Sequence, residues 1–401
     1  MIANTSNDYK KLAHEVFQTL RVKFEEYTIF WRLGHSLDTM IDYLAINPAD
    51  AIGFTEIALK KYLDRQSLVW NDKDEAKEPW WYDDYAWWAI AGLKASQHPE
   101  IFGTYAYCFR GISNICWQAI YRNAPNVWKN ADHDRFGEYK PRFEGGVWNY
   151  FFSNKPIFEI RYTPCWPGWN NNPFVCMQNT VTNGLYWVLA SRLYHITGDS
   201  SYKKAADTEY EFLNNWFNVT EPDKSLLYYY NTNDRSKFLV RERVSTYSDT
   251  NSPVYGYDEQ MAWLGDQGLI LGGLVDMMRC MGNDSPKNNE EYKKLLKMAK
   301  AITDGVKEKM CKDGLLLPWI SKNNSPPGND KDDYMTGIGV YMRYLLYAYQ
   351  NNDDLKNYLK DTCYPDLVRK NADEVKGNLG TDLIELTNNL AILVTAISMS
   401  D

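Results

Sequence analysis

TNGLYWVLASRLYHITGD, residues 182–199, sets Tyr186, Leu189, Ala190, Leu193 and Tyr194 at i, i+3, i+4, i+7 and i+8, the spacing of one face of an α-helix. Most of the residues between them are apolar or small as well, so a helix here expects cover on both sides. Five other segments share this plan: FWRLGHSLDTMIDYL from Phe30, DDYAWWAIAGLKA from Asp83, GDQGLILGGLVDMMRCMGND from Gly265, DDYMTGIGVYMRYLLYAYQNND from Asp332 and TDLIELTNNLAILVTAIS from Thr381. Between them lie amphipathic segments with one charged side, at roughly 9–27, 49–65, 100–122, 201–217, 289–310 and 354–371. EEYKKLLKMAKAITDGVKEKM is typical, its Leu295, Met298, Ala299 and Ile302 forming an apolar stripe against a Lys/Glu face.

Helices that alternate between fully covered and one-sided are what an inner and an outer ring require. Small residues such as Gly272 and Gly273 let the inner ones crowd together. The expectation is therefore an all-α (α/α)6 barrel, one catalytic domain over residues 1–401, with an irregular insertion at about 126–178. A repeat superhelix is the competing architecture, and the uneven spacing of the units argues against it. Strand signals are nearly absent.

Of the 401 residues, 44% are hydrophobic and 24% charged, as in a soluble globular protein. Aromatic residues are abundant, with 30 Tyr, 15 Trp and 15 Phe; most belong in a core, and the remainder are suited to stacking on sugar rings or flat ligands. The net charge is −8 without a Lys/Arg cluster, which argues against nucleic acid as a partner. No apolar run reaches membrane-spanning length. The first residues, MIANTSNDYKKLAHEVF, lack a basic and then apolar leader. The 7 cysteines are dispersed without a CxxC pair, and Cys165 with Cys176 is the one plausible disulfide. No cofactor or metal motif stands out: Asp132, His133, Asp134, Gly137 and Glu138 only faintly resemble a calcium loop, with Phe136 where a ligand belongs. The Pro/Asn-rich run from Ser321 is expected as a loop on the pocket rim.

In such a barrel all inner helices run the same way, so their N-termini share one mouth. That architecture would gather Asp83, Asp84, Asn183, Asp266, Gln267, Asp332 and Asp333 around a single pocket. Glycosidic hydrolysis needs two carboxyl groups, about 5–5.5 Å apart for retention and about 6.5–9.5 Å for inversion. Neighbouring helix side chains point about 100° apart, so adjacent Asp83 and Asp84 suit the shorter separation. The helix N-terminus favours an ionised carboxylate, while aromatic cover raises the pKa of its partner. The bland alternative makes Asp83 an N-cap and Asp84 a first-turn anion.

YDDYAWWAIAGL, from Tyr82, and QNTVTNGLYWVLASRLYHITGDSSYKKAA, from Gln178, resemble motifs of glycoside hydrolase family 76, the endo-α-1,6-mannanases. EGGVWN at Glu144, GDQGLILGGLVDM at Gly265 and YMTGIGVYMRYL at Tyr334 follow in the family's order. The resemblance implies a retaining, metal-independent cleavage of α-1,6-linked mannan, with Asp83 as nucleophile and Asp84 as general acid/base. It further implies an exported protein whose leader lies outside this sequence, cytoplasmic residence being the alternative, and a monomer is expected. The residues expected to contact sugar are Trp81, Tyr82, Trp87, Trp148 and Tyr257 among the aromatics and Asn183, Asp266, Gln267 and Asp333 among the polar groups. Two positions depart from the family pattern: Asp266 stands where an Asn is usual, and Thr336 where a Lys is common. The rival readings are a non-catalytic glycan-binding relative and an (α/α)6 enzyme of different linkage or chemistry.

Overall fold

The computed structural model describes residues 2–69, 80–123, 145–147, 150–151, 178–220, 225–231, 234–242, 261–281, 289–321 and 331–400. Its principal helices are α1 (Ile2–Glu26), α2 (Phe30–Ile46), α3 (Phe54–Val69), α4 (Tyr82–Ser96), α5 (Tyr105–Asn123), α6 (Thr180–Thr197), α7 (Ser200–Phe217), α8 (Leu264–Cys280), α9 (Glu290–Lys309), α10 (Gly337–Asn351), α11 (Tyr364–Val375) and α12 (Leu383–Met399). The even-numbered helices pack each against the next, and α12 returns to α2, closing an inner ring. The odd-numbered helices lie outside it. This is the (α/α)6 barrel, and the four pairings among the described strands are each two residues long.

The inner helices have cores on both flanks. In α6, Thr182 to Ser191 are buried without interruption, whereas outer α9 buries only the stripe of Tyr292, Leu295, Ala299, Ile302 and Val306 with a few neighbours. Gly272 and Gly273 serve two neighbours: a side chain on the first would strike Tyr344 of α10, and on the second Trp187 of α6. One continuous cluster of buried apolar residues runs from Tyr9 to Met399. At the seam, Ser36 Oγ of α2 and Thr387 Oγ1 of α12 lie 2.8 Å apart.

Several helix boundaries differ from expectation, each for a local reason. The expected helix from Asp332 is two, Lys331–Met335 and α10. The Asn388 amide on α12 donates to Met335 O at 2.8 Å and accepts from Gly339 N at 2.8 Å. Those are the two groups that a continuous helix would have paired with each other, so the amide acts as a wedge in the ladder. The outer segment expected at 354–371 divides into Asp353–Asp361 and α11, because Cys363 adopts a left-handed φ of 57° and Pro365 opens the next helix. Gly103, at φ 55°, likewise separates Pro99–Phe102 from α5. The segment expected at 49–65 begins with a 3-10 turn at Pro48–Ala51 before α3. Of the insertion at 126–178, only 145–147, 150–151 and 178 are described; Trp148, Tyr257, Cys165, Cys176, the 132–138 segment and most of the loop after Ser321 lie outside the described residues.

Candidate active site

The Asp pair lies just inside the cap of α4. Trp81 is the N-cap of α4, with extended backbone and no side-chain capping bond, so Asp83 and Asp84 are both first-turn residues among the helix's unpaired N–H groups. The entry to α4 is fixed by Trp80 and Trp81 pairing antiparallel with Phe151 and Tyr150. Residues four apart share a helix face, so Asp83 stands over Trp87 and Asp84 over Trp88. Trp87 faces the lumen, 5.5 Å from the ring of His35 on α2 and beneath the guanidinium of Arg343 on α10 at 5.8 Å. Trp88 faces the other way, donating to Phe30 O at 2.8 Å and packing on Tyr62 of α3. Trp87 and Trp88, one turn on from Asp83 and Asp84, thus face opposite sides of α4.

Tyr82 and Trp87 are buried, and Trp81 is half-buried beside the pair. Trp87 thus lies beneath Asp83. Asn183 and Gln267 hold neighbouring backbone. Asn183 accepts from Val147 N at 2.8 Å and donates to Val147 O at 3.1 Å and Asn179 O at 2.7 Å. Gln267 accepts from Val240 N at 2.7 Å and donates to Val240 O at 2.7 Å and Trp263 O at 3.0 Å. Each amide imitates a strand neighbour for one loop residue, which leaves little hydrogen-bonding capacity for sugar hydroxyls. Asp266, in the first turn of α8, is fully buried.

Asp333 is at the mouth but on the short helix Lys331–Met335, where it accepts from Arg32 Nη2 at 2.6 Å and Nε at 3.2 Å. That helix is tied on several sides. Tyr334 OH donates to Glu242 at 3.0 Å, Trp263 Nε1 donates to Tyr334 O at 2.9 Å, and Asn388 holds Met335. Sequence reasoning missed Arg32 and Glu242. Glu242 is 7% exposed, and its backbone accepts from Thr180 N and donates to Met261 O, which sets it where α6 and α8 begin. No local pattern marks it; Arg32 could have been found as a charge in the first turn of an inner helix.

Beside this short helix a cleft of about 750 Å³ opens, lined chiefly by Tyr27, Arg32, Trp319, Asp332, Asp382 and Glu385. It lies at the N-terminal ends of α2 and α12, and neither Asp83 nor Asp84 is among its lining residues.

Lower in the lumen the charges are matched. His35 is 1% exposed; Arg343 Nη2 lies 3.1 Å from its Nδ1, and since guanidinium only donates, the ring proton belongs on Nε2. Burial, with the Arg343 charge, holds this imidazole well below its ordinary pKa. Under it, Asp38 meets Lys94 at 2.5 Å and Arg343 at 3.0 Å, Asp42 meets Lys94 at 2.9 Å, and Arg192 meets Asp276 at 2.9 Å. Burial opposes the charge of Asp38, yet Lys94 and Arg343 prevail and hold its pKa at about 2. Burial raises Asp42, which shares its lysine. Among the described residues, no cluster of three or more His, Cys, Asp or Glu is arranged to hold a metal ion, and no helix is long and apolar enough to cross a membrane.

No known family profile and no curated protein matches the chain in sequence. Solved structures match it in fold over nearly their whole lengths. The Lin0763 protein of Listeria innocua superposes with a TM-score of 0.60 at 16% identity, covering 97% of both chains. The GH76A α-1,6-mannanase of Salegentibacter sp. HEL1_6 gives 0.59 at 13%, covering 97% of this chain and 98% of that one. The GH76 α-mannanase BT2949 of Bacteroides thetaiotaomicron gives 0.59 at 14%, covering 97% and 95%. A variant of the Salegentibacter enzyme, inactive through replacement of two adjacent aspartates, was captured with α-1,6-mannotetraose. The likeness to these solved structures is one of fold.

Proposed function

We propose that this chain is a glycoside hydrolase of the family 76 type that cleaves α-1,6-mannosidic bonds in mannan with retention of configuration. The observation that carries the reading is the Asp83–Asp84 pair in the first turn of an inner helix, with Asp83 over the lumen-facing Trp87. An adjacent aspartate pair essential in a neighbour of the same fold supports it. In this mechanism the Asp83 carboxylate attacks the anomeric carbon as Asp84, in its acid form, protonates the departing glycosidic oxygen. A glycosyl ester on Asp83 results. Asp84, now ionised, takes a proton from water, and the water oxygen displaces Asp83 at the anomeric carbon. The N-terminal dipole of α4 keeps the nucleophile charged. One catalytic unit, acting as an exported monomer on mannan without a cofactor, completes the proposal.

The test is reducing-end release from debranched yeast mannan, with the configuration of the first product read by NMR. Asp83→Asn and Asp84→Asn should each lower kcat by about 10³-fold or more, a loss of about 4 kcal/mol of transition-state stabilisation. A β-configured first product would overturn retention. Mannan binding without release by the unsubstituted chain would replace the hydrolase with a glycan-binding protein.

A further inference from the structure

The cleft beside the Lys331–Met335 helix has a one-sided chemistry. Among the described residues its charged lining is Arg32, Asp332, Asp382 and Glu385. Among the described residues Arg32 is the cation of this lining, and it holds Asp333 at 2.6 Å and the Tyr27 hydroxyl at 2.6 Å. The Asn388 amide is also committed, to Met335 and Gly339. Ionised carboxylates only accept hydrogen bonds, so the charged part of the wall, among the described residues, offers acceptors and net negative charge beside the Tyr27 hydroxyl and the Trp319 indole N–H. Asp382 caps α12 through Ile384 N and Glu385 N, and Glu385 Oε2 accepts from Thr381 N. Asp332 is exposed at the rim. Trp319 and Tyr27 supply half-buried aromatic surface on the same wall, Trp319 steadied edge-on against Tyr334 at 6.5 Å. A volume of about 750 Å³ is that of a substantial ligand pocket.

We infer that this cleft is a saccharide-binding site distinct from the Asp83–Asp84 sector, selective for donor-rich sugars that are uncharged or amino-bearing and closed to phosphorylated or uronate-bearing ones. Hydroxyl-bearing rings stack on Trp319 and donate to Asp332 and Glu385. An ammonium on the sugar adds attraction, whereas a phosphate meets carboxylates and finds its natural partner, Arg32, already occupied. As a site for part of a mannan chain the inference rests on the proposed function. As a charge-selective sugar site it stands apart from that reading.

The test titrates the full chain carrying Asp83→Asn and Asp84→Asn, which cuts no bond and removes that pair's own charge, with three probes. These are α-1,6-mannotriose, the same trisaccharide bearing a terminal 6-phosphate, and its 2-amino-2-deoxy analogue. The neutral and amino probes should bind, the phosphate at least about tenfold more weakly at low salt, and the gap should shrink as salt rises. Asp332→Asn with Glu385→Gln should narrow that gap to about threefold or less, and Trp319→Ala should weaken all bound probes together. Equal binding of the phosphate, a gap that survives Asp332→Asn with Glu385→Gln, binding unaffected by Trp319→Ala, or no binding of any probe would each overturn the inference. If selectivity holds while the unsubstituted chain never cleaves mannan, the hydrolase reading falls and the saccharide site remains.

Discussion

The two ends of the barrel are built from the same six inner helices and treat carboxylates in opposite ways. At the lower end Asp38, Asp42 and Asp276 face Lys94, Arg343 and Arg192, three against three. At the mouth Asp333 pairs with Arg32 in the first turn of α2, while Asp83, Asp84 and Asp266 stand in the first turns of α4 and α8. Burial explains the matching below, since an unpaired ion far from water costs several kcal/mol. Above, the helix N-termini favour the ionised form of the first-turn acids, and Asp332 is exposed to water. The lesson is that a carboxylate's task in this molecule follows from its height along the barrel axis.

The comparison is sharpest where its two halves lose different things. Asp83→Asn should remove turnover by about 10³-fold or more and leave the melting midpoint nearly unchanged. Arg343→Met should do the reverse. It strands Asp38 and lowers stability by about 3–5 kcal/mol, read by denaturant unfolding, while turnover per folded molecule stays within about twofold. A large activity loss in folded Arg343→Met would show that the two ends are coupled. Asn388→Leu removes the wedge at the mouth, leaving Met335 O and Gly339 N to find each other or stay unpaired. The expected loss is about 2 kcal/mol, and a change below about 0.5 kcal/mol would show that the amide does not set the helix break.

A smaller effect tests burial without pairing. Glu209, on outer α7, is buried, its Oε1 has no hydrogen-bond partner, and burial raises its pKa well above the usual carboxylate range. A raised folded pKa means that the native state holds the proton longer than the unfolded chain does. Glu209 therefore stabilises the native state relative to the ionised case in acid, and that contribution fades as pH climbs from the unfolded carboxylate value through the folded one. Glu209→Gln should accordingly raise the melting midpoint at neutral and alkaline pH by the equivalent of about 1 kcal/mol and change little near pH 4. His35 acts in the opposite direction: its lowered folded pKa withdraws stability as pH falls below about 6.5.

Much of this was legible in the chain, because helix period and two-sided burial are local signals. Tyr186 with Leu189 and Leu193 announces an inner helix, and DDYAWW announces a first turn bearing two acids. The floor was legible too, had the charges been weighed: Asp38, Lys94, Arg192, Asp276 and Arg343 are conspicuous in otherwise apolar helices. The amides were not. Asn183 and Gln267 read as mouth-facing ligands, but their partners are Val147 and Val240, whose position depends on loops far away in sequence. The break before α10 was hidden for the same reason, since its cause sits 49 positions later at Asn388.

The bond between Ser36 and Thr387 spans 351 positions and lies at the seam where α2 meets α12. Until the last inner helix exists, the apolar flank of α2 has no neighbour, and the ring is an open arc with two unsatisfied ends. Vectorial synthesis would hold that arc exposed for about 20–70 seconds at ordinary elongation rates, a window in which chaperone demand and intermolecular pairing of arcs are greatest. Joining the chain's ends and reopening it elsewhere would move the seam, and with it the slowest step of assembly, to another pair of helices.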